Sequence, residues 1–104
     1  MTDNVFVERR FEIEGQELLI QFQVPFLAPG GEFQCHWTID WPTQKRSRYT
    51  CGIDGVQALM LAMRTVHSEL LESEAYRNGK LTYLEETDLD LPAPWTFDED
   101  NSPR

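Results

Sequence analysis

The sequence is short of cysteine, of basic side chains and of long apolar runs, and each shortage excludes something. Its two cysteines, Cys35 and Cys51, match no zinc or C-x-x-C spacing, so neither a zinc ribbon nor a dithiol redox motif is present. In a cytosolic chain they read as small, reduced core residues. Nine Lys and Arg stand against 18 Asp and Glu, a net charge of −9. Such a balance repels polyphosphates and anionic lipid, so neither nucleic acid nor a membrane surface is an expected partner. No apolar run approaches the about 20 residues of a membrane span. MTDNVFVERR has no apolar core of a secretory signal, so a cytoplasmic location is expected.

Catalytic motifs are equally scarce. PGG and CGIDG lack the spacing and the lysine of a phosphate loop. His36 and His67 have no HxH or HxxxH partner, and Ser47, Ser68 and Ser73 sit in no nucleophile elbow. No cofactor, metal or catalytic residue is expected.

What the chain does contain is periodicity. Residues 4–13 alternate, with Val5, Val7, Phe11 and Ile13 on one side. Residues 17–24 alternate more cleanly, Leu18, Ile20, Phe22 and Val24 against Glu17, Leu19, Gln21 and Gln23. Period two with one apolar face marks half-buried strands. A Gly15-Gln16 loop of type II′ would pair Ile13 with Leu18 and Phe11 with Ile20. Arg9 then falls on the apolar side and needs a carboxylate or a route to the edge. PFLAPGG (25–31) reads as a loop, with Phe26 and Leu27 tucked over the end of the core.

EFQCHWTIDW (32–41) predicts a third strand with Phe33, Cys35, Trp37, Ile39 and Trp41 inward. RSRYTCGI (46–53) predicts a fourth, with Tyr49, Cys51 and Ile53 inward and Arg46, Arg48 and Thr50 outward. Both cysteines then share a face. Asp54 to Leu71 carries a helical pattern. Asp54 is a good N-cap, and Gln57 three residues on completes a capping box. Val56, Leu59, Met60, Met63, Val66, Leu70 and Leu71 form the apolar stripe. His67 lies within it and reads as a core-edge histidine bound to a backbone carbonyl. Leu61 lies on the polar side, and Asn78-Gly79 is a plausible stop. KLTYL (80–84) predicts a short edge strand.

These elements specify an α+β fold: an antiparallel four-stranded meander plus a short fifth strand, with one long helix packed on one face as a two-layer sandwich. Residues 1–84 form the single domain. Residues 85–104 hold seven acidic groups against one basic and read as an acidic, extended or disordered tail. Trp95 and Phe97 are its anchors, either folded back on the body or offered as a docking peptide.

Functional candidates then fall in two places. His36, Asp40, Arg46 and Arg48 are placed on the outer sheet face, where such a set can bind an anion or do acid–base work. Cross-strand charge pairing on a wet face is the simpler explanation. Trp41, before Pro42 at a strand end, suits a protein contact, as does Trp95.

IDWP (39–42), GIDGVQAL (52–59) and the exit SEAYRNGKL (73–81) together resemble a family of short bacterial proteins of unknown function. Members of that family end in a Gly-, Phe- and Pro-rich stretch, whereas this chain reads DLDLPAPW. The resemblance implies a small cytoplasmic domain and transfers no catalytic residue. The expected function is a non-enzymatic protein-interaction domain with an adaptor, regulatory or toxin-neutralising role, and its expected partner is another protein of basic character. A homodimer through a strand edge or Leu61 is a further expectation. The alternative is a small-ligand or anion-binding domain, or an enzyme, built on the polar sheet face.

Overall fold

The computed structural model describes residues 4–94. It shows an antiparallel sheet packed against one long helix, the expected α+β arrangement. The strands are β1 (Val5–Ile13), β2 (Gln16–Gln23), β3 (Phe26–Leu27), β4 (Phe33–Asp40), β5 (Lys45–Gly52) and β6 (Leu81–Thr82). The helices are α1 (Gly55–Glu72) and the single turn α2 (Glu74–Arg77). The long strands lie in the order β5-β4-β2-β1, a meander. β3 resumes beyond Val24-Pro25 and pairs with β4 as β2 does, while β6 adds to β1. Among the described residues no helix is long and apolar enough to cross a membrane.

The first hairpin keeps its expected faces but shifts its register by two. Ile13 pairs with Gln16 and Phe11 with Leu18, so the loop is Glu14-Gly15 rather than Gly15-Gln16. Both loop residues have positive φ, 52° and 79°. That is the mark of a type I′ turn, whose twist suits the strands it joins. A shift of two leaves every side chain on its own side, so Phe11, Ile13, Leu18, Ile20 and Phe22 still enter the core. Near its start β1 carries an irregularity between Val5 and Val7, and both valines are exposed rather than inward.

The expected faces of β5 are inverted. Asp40 pairs with Lys45 across the four-residue connection 41–44, which sets Ile39 opposite Arg46, Trp37 opposite Arg48 and Cys35 opposite Thr50. Paired residues share a face. Arg46, Arg48, Thr50 and Gly52 therefore lie on the helix side, and Tyr49 and Cys51 lie on the outer side. Thr50 uses its place by donating its hydroxyl to the Ala58 carbonyl at 2.8 Å. Ile53, expected inward, is exposed.

Asp54 caps α1 as expected, its Oδ1 accepting from the Gln57 amide at 2.8 Å. Gln57 reaches back to accept from the amide of Ile53 at 2.7 Å. The helix ends at Ser73, earlier than Asn78-Gly79. The Ser73 hydroxyl bonds the Leu70 carbonyl and accepts from the Tyr76 amide, closing α1 and capping α2. Gly79 then turns the chain at φ 74°.

The buried face of α1 is narrower than its apolar stripe. Ala58, Ala62, Val66 and Leu70, each four residues on from the last, are fully buried against the sheet. Small residues at the N-terminal end let the helix backbone approach the strands closely. Val56 and Met60, counted in the stripe, face away and are exposed. Within residues 85–94, placed by the sequence in the tail, the chain reaches back to the body. Leu89 is buried with the core, and Leu91 packs on it. Arg9, on the apolar side opposite Ile20, finds no carboxylate among the described residues. Its guanidinium lies 4.4 Å over the Tyr83 ring and donates to the carbonyls of Leu89 and Asp90.

Candidate functional site

The four polar candidates do not converge. His36 and Asp40 are on the outer sheet face, whereas Arg46 and Arg48 are on the helix side. Arg46 is engaged there in a bidentate pair with Glu69 of α1, at 2.5 and 2.9 Å. Its guanidinium pKa is raised by those hydrogen bonds. The pair ties the outermost long strand to the helix. An anion site built from all four side chains would need them on one face, and the even-length connection 41–44 forbids it.

His36 instead sits in an aromatic column. Its ring stacks on Phe26 at 5.5 Å and on Tyr49 at 4.8 Å, and its Nε2 lies 3.1 Å from Gln34 Oε1. Beside the column the outer face is polar and paired. Glu8 accepts from Arg10 at 2.6 Å and from Gln21 at 3.0 Å, and its carboxyl is held below the usual range first by the Gln21 bond and then by Arg10. His67 behaves as a core-edge histidine, with Nδ1 at 2.8 Å from the Pro92 carbonyl oxygen. Among the described residues no group of three His, Cys, Asp or Glu could hold a metal ion. Trp95 lies outside the described residues.

The cysteines part company with the face inversion. Cys35 is buried and its thiol is pushed up to about 11 by that burial, while Cys51 is exposed on the opposite face. They cannot bridge. At neutral pH a thiol-specific reagent should modify one thiol per folded chain, Cys51, and both in denaturant. The burial of Cys35 also has a pH signature. The unfolded thiol ionises near 9 and the folded one near 11, so its contribution to stability is lost as pH rises through that window.

Trp41 is half-buried at the end of the sheet where α1 stops. An open groove of about 570 Å³ is lined there by Trp41, Pro42, Thr43, Ser73, Ala75 and Lys80, among others. Two of the sequence stretches that resemble a known family, IDWP and SEAYRNGKL, therefore meet in space.

At the opposite end the structure presents what sequence reasoning missed. Val5, Phe6, Val7, Val24, Phe26, Leu27, Ile53 and Val56 are all exposed, Leu27 at 61% and Ile53 at 82%. The sheet register brings these together. Val5 pairs with Gln23, the Val24 amide donates to the Asn4 carbonyl, and Gly55 lies against Pro25. Phe26 and Leu27, expected to close over the core, are exposed instead, Phe26 with one ring face on His36. The available signal was PFLAPGG itself, since two large apolar residues inside a proline- and glycine-bearing loop are an exposed pair unless a core reaches them.

The segments forming that end, 4–8, 22–34 and 50–58, contain Glu8, Glu32 and Asp54 and no Lys or Arg. Glu32 is held ionised below the usual carboxylate range by its bond to Gln34. The fold is thus a small two-layer domain with an exposed apolar end, on a scaffold whose polar candidates lie on two faces.

The family described as a domain of unknown function, DUF6968, matches residues 7–93. The chain belongs to that family. Neither a curated protein nor a solved structure matches the chain.

Proposed function

We propose that this chain is a single-domain, cytoplasmic, non-enzymatic protein-interaction module of bacterial origin, with an adaptor or regulatory role. Its partner surface is the apolar end formed by Val5, Phe6, Val24, Phe26, Leu27 and Ile53. The observation that carries the reading is the gathering of these exposed side chains at one end of the sheet. A surface of that kind costs solubility unless something covers it, and scattered apolar residues would carry no such implication. The charge around that end narrows the partner. Glu8 is already paired with Arg10, so the carboxylates left without a cation among the described residues are Glu32 and Asp54, and they favour a protein that brings apolar anchors flanked by Lys or Arg.

The test is affinity purification of the full chain beside the double variant Phe26→Asp, Leu27→Asp. Both positions are exposed, so the variant should keep its melting temperature. Wild type should retain a partner whose binding weakens with salt, and the variant should lose roughly tenfold or more in affinity. A partner held equally by both, or none held specifically, rejects the surface.

A further inference from the structure

We infer that β5 receives the β5 of a second copy of this chain, antiparallel, across a two-fold axis that passes close to Tyr49 and Leu61. β5 is eight residues long and pairs with β4 alone. Its register runs from end to end without a shift, and it contains no proline. Among the described residues its backbone bonds to no backbone but that of β4. A long, regular edge without bulge or proline is a template for another strand. The opposite edge is not equivalent. There β6 pairs with the end of β1, and Arg9 holds the carbonyls of Leu89 and Asp90 beside it.

Two features of the sheet fix the register. Paired residues share a face, so a two-fold axis perpendicular to the sheet passes through a residue and not between two. Centring on Arg48 would set that cation against its own counterpart. Centring on Tyr49 pairs just as many residues, and it sets Arg48 opposite Thr50 and Arg46 opposite Gly52 of the second copy. No like charges then meet. The aromatic column gives the same answer. Phe26, His36 and Tyr49 stack in that order across the outer face, and the column stops at the edge on a Tyr49 that is 51% exposed. Pairing Tyr49 with its counterpart continues the column into the second copy.

The helix side agrees independently. Thr50 is tied to Ala58 and Arg46 to Glu69. Tyr49 stands a quarter of the way from Thr50 to Arg46, which is the level of Leu61 on α1. Leu61, Thr65 and Glu69 are spaced by four, so Leu61 lies on the flank that Glu69 turns toward β5. It is half-buried yet not packed on the core. α1 rests on β4 and β5 alike. With strands about 4.8 Å apart, the two α1 axes come to about 10 Å from each other, the distance of packed helices. Leu61, the apolar residue on the polar side of the helix, then meets its counterpart at the axis. Charge selects the antiparallel sense. Lys45 and Arg48, near the start of β5, enter no ion pair among the described residues, and Asp54 follows its end. Antiparallel pairing sets the one end against the other.

The test is light scattering of the full chain over a concentration series, with a disulfide to read the register. Wild type should reach twice the 12.1 kDa of the chain. Tyr49→Lys, at an exposed position, should keep its circular dichroism spectrum and weaken the dimer roughly tenfold or more, because like charges then face each other on the axis. Leu27→Asp should leave the dimer intact, so this proposal and the partner surface above fail separately. In the stated register Ser47 lies opposite the second copy's Cys51, and both are exposed. Cα atoms of directly opposed residues are about 4.5–5.5 Å apart, within disulfide range. Mild oxidation of Ser47→Cys should therefore give a covalent dimer, and adding Cys51→Ser should abolish it. Within one chain the two positions are four strand residues apart, too far to bridge. A wild type that is monomeric at every concentration overturns the proposal, as does a dimer that Tyr49→Lys does not weaken. A dimer whose Ser47→Cys form fails to cross-link through Cys51 places the interface elsewhere and overturns it as well.

Discussion

Gly52→Ala should destabilise the protein by about 3 kcal/mol, at the upper end of what overpacking costs. Gly52 is the last residue of β5, buried on the helix side, and the first turn of α1 rests directly on it. A Cβ there would stand 2.5 Å from the Ala58 amide nitrogen and 3.0 Å from both the Ala58 Cα and the Gln57 carbonyl carbon. These are backbone atoms, so no side chain can swing aside. To make room, the helix start must lift off the strand. Lifting it would stretch the Thr50 hydroxyl bond to the Ala58 carbonyl and strain the hold of Asp54 on the Gln57 amide.

The sign of the Gly52 effect is open to a clean check. Gly52 is not in the left-handed region, so alanine meets no backbone penalty. At such a position glycine to alanine would otherwise stabilise by about 0.4–1 kcal/mol through the unfolded chain. Steric overlap and unfolded-state entropy thus predict opposite signs. Urea denaturation should show a lower midpoint at unchanged slope and a melting temperature lower by roughly 15 °C. Cys51→Ala, one residue back and outward-facing, should move neither by much. A loss below about 1 kcal/mol at Gly52 would show that the helix start shifts freely.

Gly52 also marks where sequence reasoning stops. The capping residues Asp54 and Gln57 were legible because a cap is local, a matter of residue type and a spacing of three. The sides of β1 and β2 were legible because their alternation is strict, and even a register error of two preserves them. The β5 faces were not. Tyr49, Cys51 and Ile53 form an apolar alternation as good as any in the chain, and it points the wrong way. What decides is the parity of the connection to β4, since one residue more or fewer would reverse every side chain. Once Asp40 pairs with Lys45, Tyr49 must go out to stack on His36, and Gly52 must come in beneath the helix. The same parity scatters the four polar residues that, by pattern alone, made the most suggestive cluster. The stripe of α1 misled for a related reason. An apolar stripe shows which flank can be buried, while the width of the sheet and the path of residues 84–94 decide how much of it is.

The second large effect is expected at Trp37, the biggest fully buried side chain of the described residues. Trp37→Ala should cost about 4 kcal/mol, the range for removing a large aromatic from a packed core. The helix faces the sheet with Ala58 and Ala62 at its N-terminal end, and these small residues share one core cluster with Trp37. Trp37→Phe should behave quite differently. The indole Nε1 is buried with no hydrogen-bond acceptor among the described residues. A buried donor without a partner costs about 1–3 kcal/mol of desolvation, and phenylalanine removes that donor. It also gives up part of the ring volume, a loss of similar size. The two terms oppose, so Trp37→Phe should change stability by about 1 kcal/mol or less while Trp37→Ala does not. Equilibrium denaturation of both variants measures the difference. If phenylalanine costs nearly as much as alanine, packing dominates the site and the orphaned N–H contributes little. If phenylalanine is neutral or stabilising, the indole is retained at the centre of this core for its volume and in spite of its nitrogen.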